Sequence, residues 1–368
     1  MNLPLYALRR ALVFVPSLIL LTMIVFSLSW LMPHYYYILP LTYGSFVPLT
    51  STVISNDLQA MNIFPSNPAL TYLYYLKGIF TGNWGLAVGG LDVPFPFTGN
   101  VYSHIGFFLD NSLQLILASF LVSVFVAIAL GSYASRHRGG AIFYVARFIS
   151  YSGFSAPAIW VAPLLVMIFG RGVGIPVISV FPISGRGVTP SNYPGFMNSM
   201  GISSPTGILI VDTIYWQDWP LLASELMHMV LPITTISYGV IAGLLRFYML
   251  GIDEEINKEY VAAARSRGIQ ERDIYRKHIR KTALVHTVPQ VGLVTTNMIL
   301  GLIVAENFFS YYGLGELLLQ SFVVGAYIPM VEIWPLMATV LIFGIMVLLS
   351  SFIADLLQAY VDPRTRLS

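Results

Sequence analysis

The feature that most constrains this chain is a set of apolar runs, each about 20 residues long. They are too many to hide in one soluble core, and each is long enough to cross a bilayer. Over 368 residues the chain is 56% hydrophobic and only 10% charged, with a mean hydropathy of +0.74. These values predict an all-α polytopic membrane protein whose surroundings are a lipid bilayer, with no nucleic-acid partner. Cysteine is absent, which excludes disulfides, thiolate metal sites and a cysteine nucleophile, and leaves the redox compartment open.

Charge is concentrated in one place. Asp253 to Lys281 holds 8 of the 19 Lys and Arg residues and 6 of the 17 Asp and Glu residues. Its local chemistry predicts two short helices joined at a glycine. Asn257 suits an N-cap, Glu259 falls in a first turn, and Arg265 and Arg267 fall in a last turn, so the charges oppose the helix dipole. Gly268 stands where a left-handed residue would end that helix. The second helix repeats the arrangement, with Glu271 and Asp273 early and Arg276, Lys277, Arg280 and Lys281 late. Ala262, Ala263 and Ala264 are small enough to let another backbone approach. The plain alternative is a solvated loop with no partner.

Six transmembrane helices are expected. The first is Ala11 to Met32, longer than the apolar core of a cleaved signal peptide. Helix 2 runs from about Asp110 to Tyr133, and helix 3 from about Ile142 to Phe169. Pro157 and Pro163 fall within helix 3, where a kink would either line a translocation path or be merely structural. Helix 4 spans about Glu225 to Leu250, and helix 5 about Leu284 to Phe309 with Pro289 interrupting it. Helix 6 spans about Ile333 to Tyr360. Residues 33–108 and 171–224 read as extracytoplasmic segments, 251–283 as a cytoplasmic loop and 361–368 as a cytoplasmic tail, leaving a core of 109–360. With both termini cytoplasmic, only Lys77, Arg171 and Arg186 fall on the outer side, and the other 16 basic residues obey the positive-inside pattern.

Several chemistries are missing. A P-loop needs Gly-Lys-Ser/Thr, yet of the four lysines only Lys281 precedes a hydroxyl residue, and it follows Arg280. GNWGLAVGG, Gly82 to Gly90, lacks the strand-to-helix pattern and lysine of a phosphate loop. The six histidines are scattered singly without metal-ligand spacing. Asp110, Arg147, Arg246, Glu306, Glu332 and Asp355 all fall near the ends of the expected helices, not in the midplane pairs of gradient-driven carriers. Glu306, in an apolar setting, is a candidate for lining a substrate path, with structural hydrogen bonding as the alternative. The tyrosine clusters at 35–37, 72–75 and 311–312 read as an interfacial belt before a sugar-stacking platform.

Ala263-Ala264, three residues, then Gly268 and a basic second helix resemble the EAA loop of membrane subunits of ABC importers. The wider string EYVAAARSRGIQERDIYRKHIRKTAL is similar to the dipeptide/oligopeptide (nickel) permease branch. Further likenesses are the Arg9-Arg10 start of helix 1, GNWG before helix 2, FPISGRG at Phe181 to Gly187, YYGLGELLLQSF at Tyr311 to Phe322, and VDPR at the carboxyl end. The chain departs from the family at Ala262, where the general motif has Glu, and at His278-Ile279-Arg280-Lys281. It departs again at His34-Tyr35-Tyr36 after Pro33, and at Tyr312 in place of proline.

The resemblance implies a type I ABC importer permease fold and a transporter subunit that is not itself an enzyme. It implies a second homologous permease, two cytoplasmic ATPase subunits that bind ATP and Mg2+ in place of any cofactor in this chain, and an extracytoplasmic solute-binding protein. The setting would be the plasma membrane of a bacterium or archaeon. Glu259, Tyr260, Ala263, Ala264, Arg265 and Gly268 become the ATPase-docking residues, and Pro157, Pro163 and Glu306 the candidate path residues. Di- or oligopeptides are the expected substrate. Oligosaccharides or nickel on the same kind of importer, and an ion-gradient-driven secondary transporter, are the alternatives.

Overall fold

A bilayer leaves the backbone little choice, because peptide groups in hydrocarbon must be paired within their own segment. The computed structural model describes residues 3–31, 67–87, 99–186, 208–288, 290–322 and 331–361, and they are overwhelmingly helical. Among them, five helices are long and apolar enough to cross a membrane, with a shorter apolar helix, Ala158–Phe169, beside them. The elements are α1 (Leu3–Trp30), α2 (Pro68–Thr81), the two-residue strands β1 (Leu86–Ala87) and β2 (Gly99–Asn100), α3 (Val101–Arg136), α4 (Ala141–Ser155) and α5 (Ala158–Phe169). They continue with α6 (Leu209–Tyr215), α7 (Trp219–Ile256), α8 (Glu259–Ser266), α9 (Glu271–Ile274), a π-helical turn Tyr275–Ile279, α10 (Arg280–Thr287), α11 (Gln290–Phe308), α12 (Leu314–Gln320) and α13 (Ile333–Val361).

Helix α7 is the axis, packing against α3, α4, α5, α10 and α11. At 38 residues it is about 57 Å long, roughly twice the hydrocarbon thickness, so it carries the bundle out of the membrane. Close approach rests on small residues. A Cβ at Gly153 in α4 would lie 2.5 Å from that of Ala242 in α7, and one at Gly131 in α3 would lie 2.7 Å from the Tyr248 ring. Helix α1 lies on α13, with Phe14 edge-on to Phe352 at 5.6 Å and Arg10 Nε 3.1 Å from Asp355 Oδ2.

Several expected boundaries move. Helix α3 begins nine residues before Asp110 because the Asn100 side chain accepts the Tyr102 N–H at 3.0 Å and caps it there. Asp110 therefore lies well inside a helix, and the 108/109 boundary falls within α3. Helix α7 begins at Trp219, where Asp218 caps the Leu221 N–H at 3.1 Å, and ends at Ile256. Helix 3 is two helices, because a residue before proline is driven out of the α region: Ala156 (ψ 115°) and Pro157 (ψ 141°) are extended. Leu284 belongs to α10, not to helix 5. Most of 33–108, together with 187–207, Pro289 and 362–368, lies outside the described residues.

The end of the bundle remote from the charged loop is tied by two buried polar knots. In the first, Arg186 Nη2 donates to Glu225 Oε1 at 2.8 Å, Nη1 donates to Asn111 Oδ1, and the guanidinium lies 5.4 Å from the centre of the Tyr311 ring. The backbone N–H of Gly185 donates to Phe309 O at 2.8 Å, and Asn111 Nδ2 to Tyr312 O at 2.7 Å. FPISGRG thereby joins α3, α7 and the turn after α11. In the second knot Glu306 is fully buried. Its Oε1 accepts from Ser112 Oγ and its Oε2 from the Gly315 N–H, both at 2.6 Å, while Ser112 Oγ accepts the Leu314 N–H at 2.8 Å. Glycine in YYGLGE follows from this: a Cβ at Gly313 would stand 2.1 Å from Glu306 Oε1.

Removing one partner of a buried ion pair strands the other, at a cost of about 3–5 kcal/mol, whereas replacing both with apolar groups is far milder. Arg186→Met is therefore expected to lower unfolding stability in detergent by that amount, and Arg186→Met with Glu225→Leu to recover most of it. A double variant as unstable as the single would show that the pairing is not what matters.

Candidate functional site

The charged loop is built as a rigid platform. Val261, Ile274, Tyr275, Ile279 and Ala283 from the loop side bury themselves against Tyr248 and Ile252 of α7, forming a small apolar core separate from that of the bundle. The Tyr248 hydroxyl hydrogen-bonds with Ser132 Oγ at 2.8 Å, and Tyr275 Oη donates to Ser132 O at 3.2 Å, so α3 is locked in as well. Glu255, only 1% exposed at the end of α7, holds Lys258 Nζ in an ion pair and accepts from Tyr260 Oη at 2.9 Å. Partial burial and the Glu255 carboxylate push the Tyr260 phenol up to about 12, so it remains a donor at neutral pH.

Helix α8 ends in a complete Schellman motif. The Ile269 N–H donates to Ala264 O at 3.2 Å and the Gly268 N–H to Arg265 O at 2.9 Å, with Gly268 left-handed at φ +73°. Nothing lies within 4 Å of where a Gly268 Cβ would be, so glycine is needed there for its backbone alone. Arg265 pairs with Glu271 across the turn, with Nη2 3.4 Å from Oε2; being exposed, this pair contributes little.

Of the six sequence-derived docking residues, Glu259, Tyr260, Ala263, Arg265 and Gly268 are exposed and Ala264 is half-buried. All belong to one short helix and its turn. Asn257 is not the N-cap: it closes α7, with Nδ2 donating to Asp253 O at 2.9 Å, and Lys258 takes the capping position without a side-chain bond. The second helix is not short, because α9, the π turn and α10 run on from Glu271 to Thr287. Sequence reasoning missed Glu255 and the buried Val261, Ile274 and Ile279. Large apolar residues standing singly among charges, Ile252, Ile256, Val261, Ile274 and Ile279, were the available signal.

The α4–α5 break opens a cleft of about 560 Å3 between the broken helix, α7 and α11, lined by Pro157, Ile159, Thr235, Tyr238, Asn297 and Gly301 among others. Tyr238 Oη hydrogen-bonds with Ser152 Oγ at 3.1 Å. Pro163 lies within α5, half-buried, and Glu306 is held in the knot described above, outside the lining. Thr235, Tyr238 and Asn297 are polar groups on membrane-spanning helices that the sequence did not single out.

Long apolar spans, a broken shorter one and a rigid charged loop at one end define a polytopic membrane transport subunit. More narrowly, the chain belongs to the family described as binding-protein-dependent transport system inner membrane component, whose model matches residues 127–367. It is 26% identical to the peptide transport system permease protein SapB of Salmonella typhimurium, over 97% of this chain and 96% of that protein. It is 25% identical to the dipeptide transport system permease protein DppB of Alkalihalophilus pseudofirmus, over 98% and 99%. It is 24% identical to a SapB of Escherichia coli K12 described as a putrescine export system permease protein, over 97% and 96%.

Ile274→Ala removes a side chain from the small core, at a cost of about 2–5 kcal/mol that falls locally on the loop. Amide hydrogen exchange over 259–279 should accelerate strongly while that of α11 stays unchanged. Equal acceleration in both would mean that the loop has no separate anchorage.

Proposed function

We propose that this chain is one of two permeases in an ATP-driven, binding-protein-dependent importer of di- and oligopeptides. In this reading the loop of α8 and α9 is cytoplasmic and docks on an ATPase subunit that carries ATP and Mg2+. A second permease completes the path, and an extracytoplasmic binding protein delivers the substrate. The observation that carries the proposal is the loop itself: a short helix with an exposed small-residue face, closed by a left-handed glycine and locked through a private core to α7 and α3. A solvated loop without a partner needs no such anchorage. Peptide as substrate rests on the names of the relatives. The E. coli relative described as a putrescine exporter makes a polyamine the second reading.

The cleft at the α4–α5 break is then one wall of the path, with Pro157 at its lip and Pro163 within α5. Glu306 bears on the path indirectly, by fixing the α11–α12 turn. When the ATPase subunits close, α8 moves with them and shifts α7 at the cleft, which biases the bundle between inward- and outward-open arrangements.

ATPase activity of the purified complex in lipid, with its binding protein, tests the reading across di- to pentapeptides, oligosaccharides, nickel and putrescine. Stimulation by peptides alone is the expected result. Stimulation by another class corrects the substrate, and transport driven by an ion gradient without any ATPase overturns the proposal. Gly268→Val forces a β-branched residue into the left-handed region at about 1–2 kcal/mol, shifting the loop's equilibrium by a factor of roughly 5–30. Stimulated ATPase should fall by that order while membrane insertion is unchanged, and unaltered stimulation would count against the loop as the docking element.

A further inference from the structure

A groove of about 790 Å3 runs along an exposed face of α3 and shares no lining residue with the cleft. Its shaft is apolar, with Phe120, Leu121, Val124, Phe125 and Ile128, and its mouth is basic, with Arg136 and His137 from α3 and Arg280 from α10. Leu121 is 67% and Phe125 73% exposed. A narrower apolar recess of about 130 Å3 shares Val124 and Ile128 with the shaft and continues inward toward Leu244 and Val291.

The basic mouth is not neutralised from within. Arg138 next door is paired with Asp253, but among the described residues neither Arg136 nor Arg280 forms an ion pair. The Arg136 guanidinium lies 4.5 Å from the centre of the Tyr275 ring, which orients it without cancelling its charge. The α3 carboxyl end contributes only about half a negative charge, against two full positive ones.

We infer that this groove holds an anionic phospholipid of the leaflet on the loop side, its phosphate between Arg136 and Arg280 and one acyl chain in the shaft. The leaflet assignment takes the loop side as cytoplasmic and so rests on the function proposed above. Length favours the occupant: Phe120 to Arg136 is 16 steps of the helix, about 24 Å, close to one leaflet's hydrocarbon of about 15 Å plus a headgroup layer. Charge favours it too, because an apolar helix from a second permease would leave both guanidiniums unanswered, whereas basic pockets beside membrane helices on the cytoplasmic side suit acidic headgroups.

The test is native mass spectrometry of the purified complex, carrying this full chain, against phosphatidylglycerol, phosphatidylcholine of matched chains, and soluble glycerol phosphate. Phosphatidylglycerol should be retained preferentially, and Arg136→Gln with Arg280→Gln should cut its retention roughly 30-fold, the weight of two basic residues against an anionic lipid. Ala129→Trp, at an exposed groove position, should block retention of the lipid without disturbing the core. Equal retention of both lipids, full competition by glycerol phosphate, or photo-crosslinking from position 125 to a second permease instead of lipid would each overturn the inference. ATPase activity measured on the same samples separates the two proposals. A complex that hydrolyses ATP but shows no lipid preference sinks only the lipid site, and one that retains the lipid without any ATPase sinks only the importer.

Discussion

The peptide group's need for a partner in hydrocarbon governs this molecule. An unpaired N–H or C=O there costs several kcal/mol, so the chain crosses as helix and breaks only where other groups take over the pairing. Both described interruptions obey this. At Ala156–Pro157 the Ala156 N–H still donates to Ser152 O, Trp160 N–H restarts the ladder on Pro157 O, and the cleft beside them lets the remaining carbonyls meet water. At the α11–α12 turn side chains do the work: Glu306 and Ser112 receive the first amides of α12. A buried carboxyl group in a membrane helix thus follows from a buried turn.

The same need explains why the polar knots lie at one end and the small apolar core at the other. The turns that join α3, α7 and α11 through FPISGRG and YYGLGE are enclosed by the bundle, so their backbone groups are met by Asn111, Ser112 and Glu306, and Arg186 holds the Asn111 side chain in place. The charged loop lies outside it, where water serves the backbone, so its position is fixed mainly by apolar contact, with the Tyr275–Ser132 and Tyr260–Glu255 hydrogen bonds beside it. Val261 and Ile274 supply that contact, and an otherwise polar loop gains a fixed orientation.

Much of this was legible in the chain. Long apolar runs announce the spans, because composition alone decides what hydrocarbon accepts, and Gly268 announced a helix stop, because its left-handed φ is a local property. What escaped depended on distant groups. The start of α3 at Asn100 was hidden because Val101 to Leu109 reads as loop until Asn100 is seen to cap it. The break at Pro157 read as a kink because proline fixes its neighbour's backbone but not whether the helix resumes in line. Asn257 has an N-cap's chemistry, yet α7 runs on to Ile256 because Ile252 and Glu255 are buried, and it takes the residue as its end. Glu306 stood out correctly as an unusual residue; its partner Ser112 is nearly 200 positions away and carries no sequence mark.

Helix α7 is what turns these parts into a device. Tyr248 and Ile252 sit in the loop core, and Thr235 and Tyr238 line the cleft, on one unbroken helix. Ten residues separate Tyr248 from Tyr238, about 15 Å of helix. Pro232, the one proline in the interior of α7, lies beyond the cleft from the loop, so no proline kink falls in the intervening turns. In the importer proposed above, a displacement imposed on α8 is carried along α7 to the cleft with no proline hinge between them. The compliant element is the α4–α5 break opposite, where the ladder is already interrupted and Gly153 lets α4 approach α7 most closely. In that proposed importer, stiffness on one wall and a break in the other is the arrangement by which motion at the loop changes the width of the cleft.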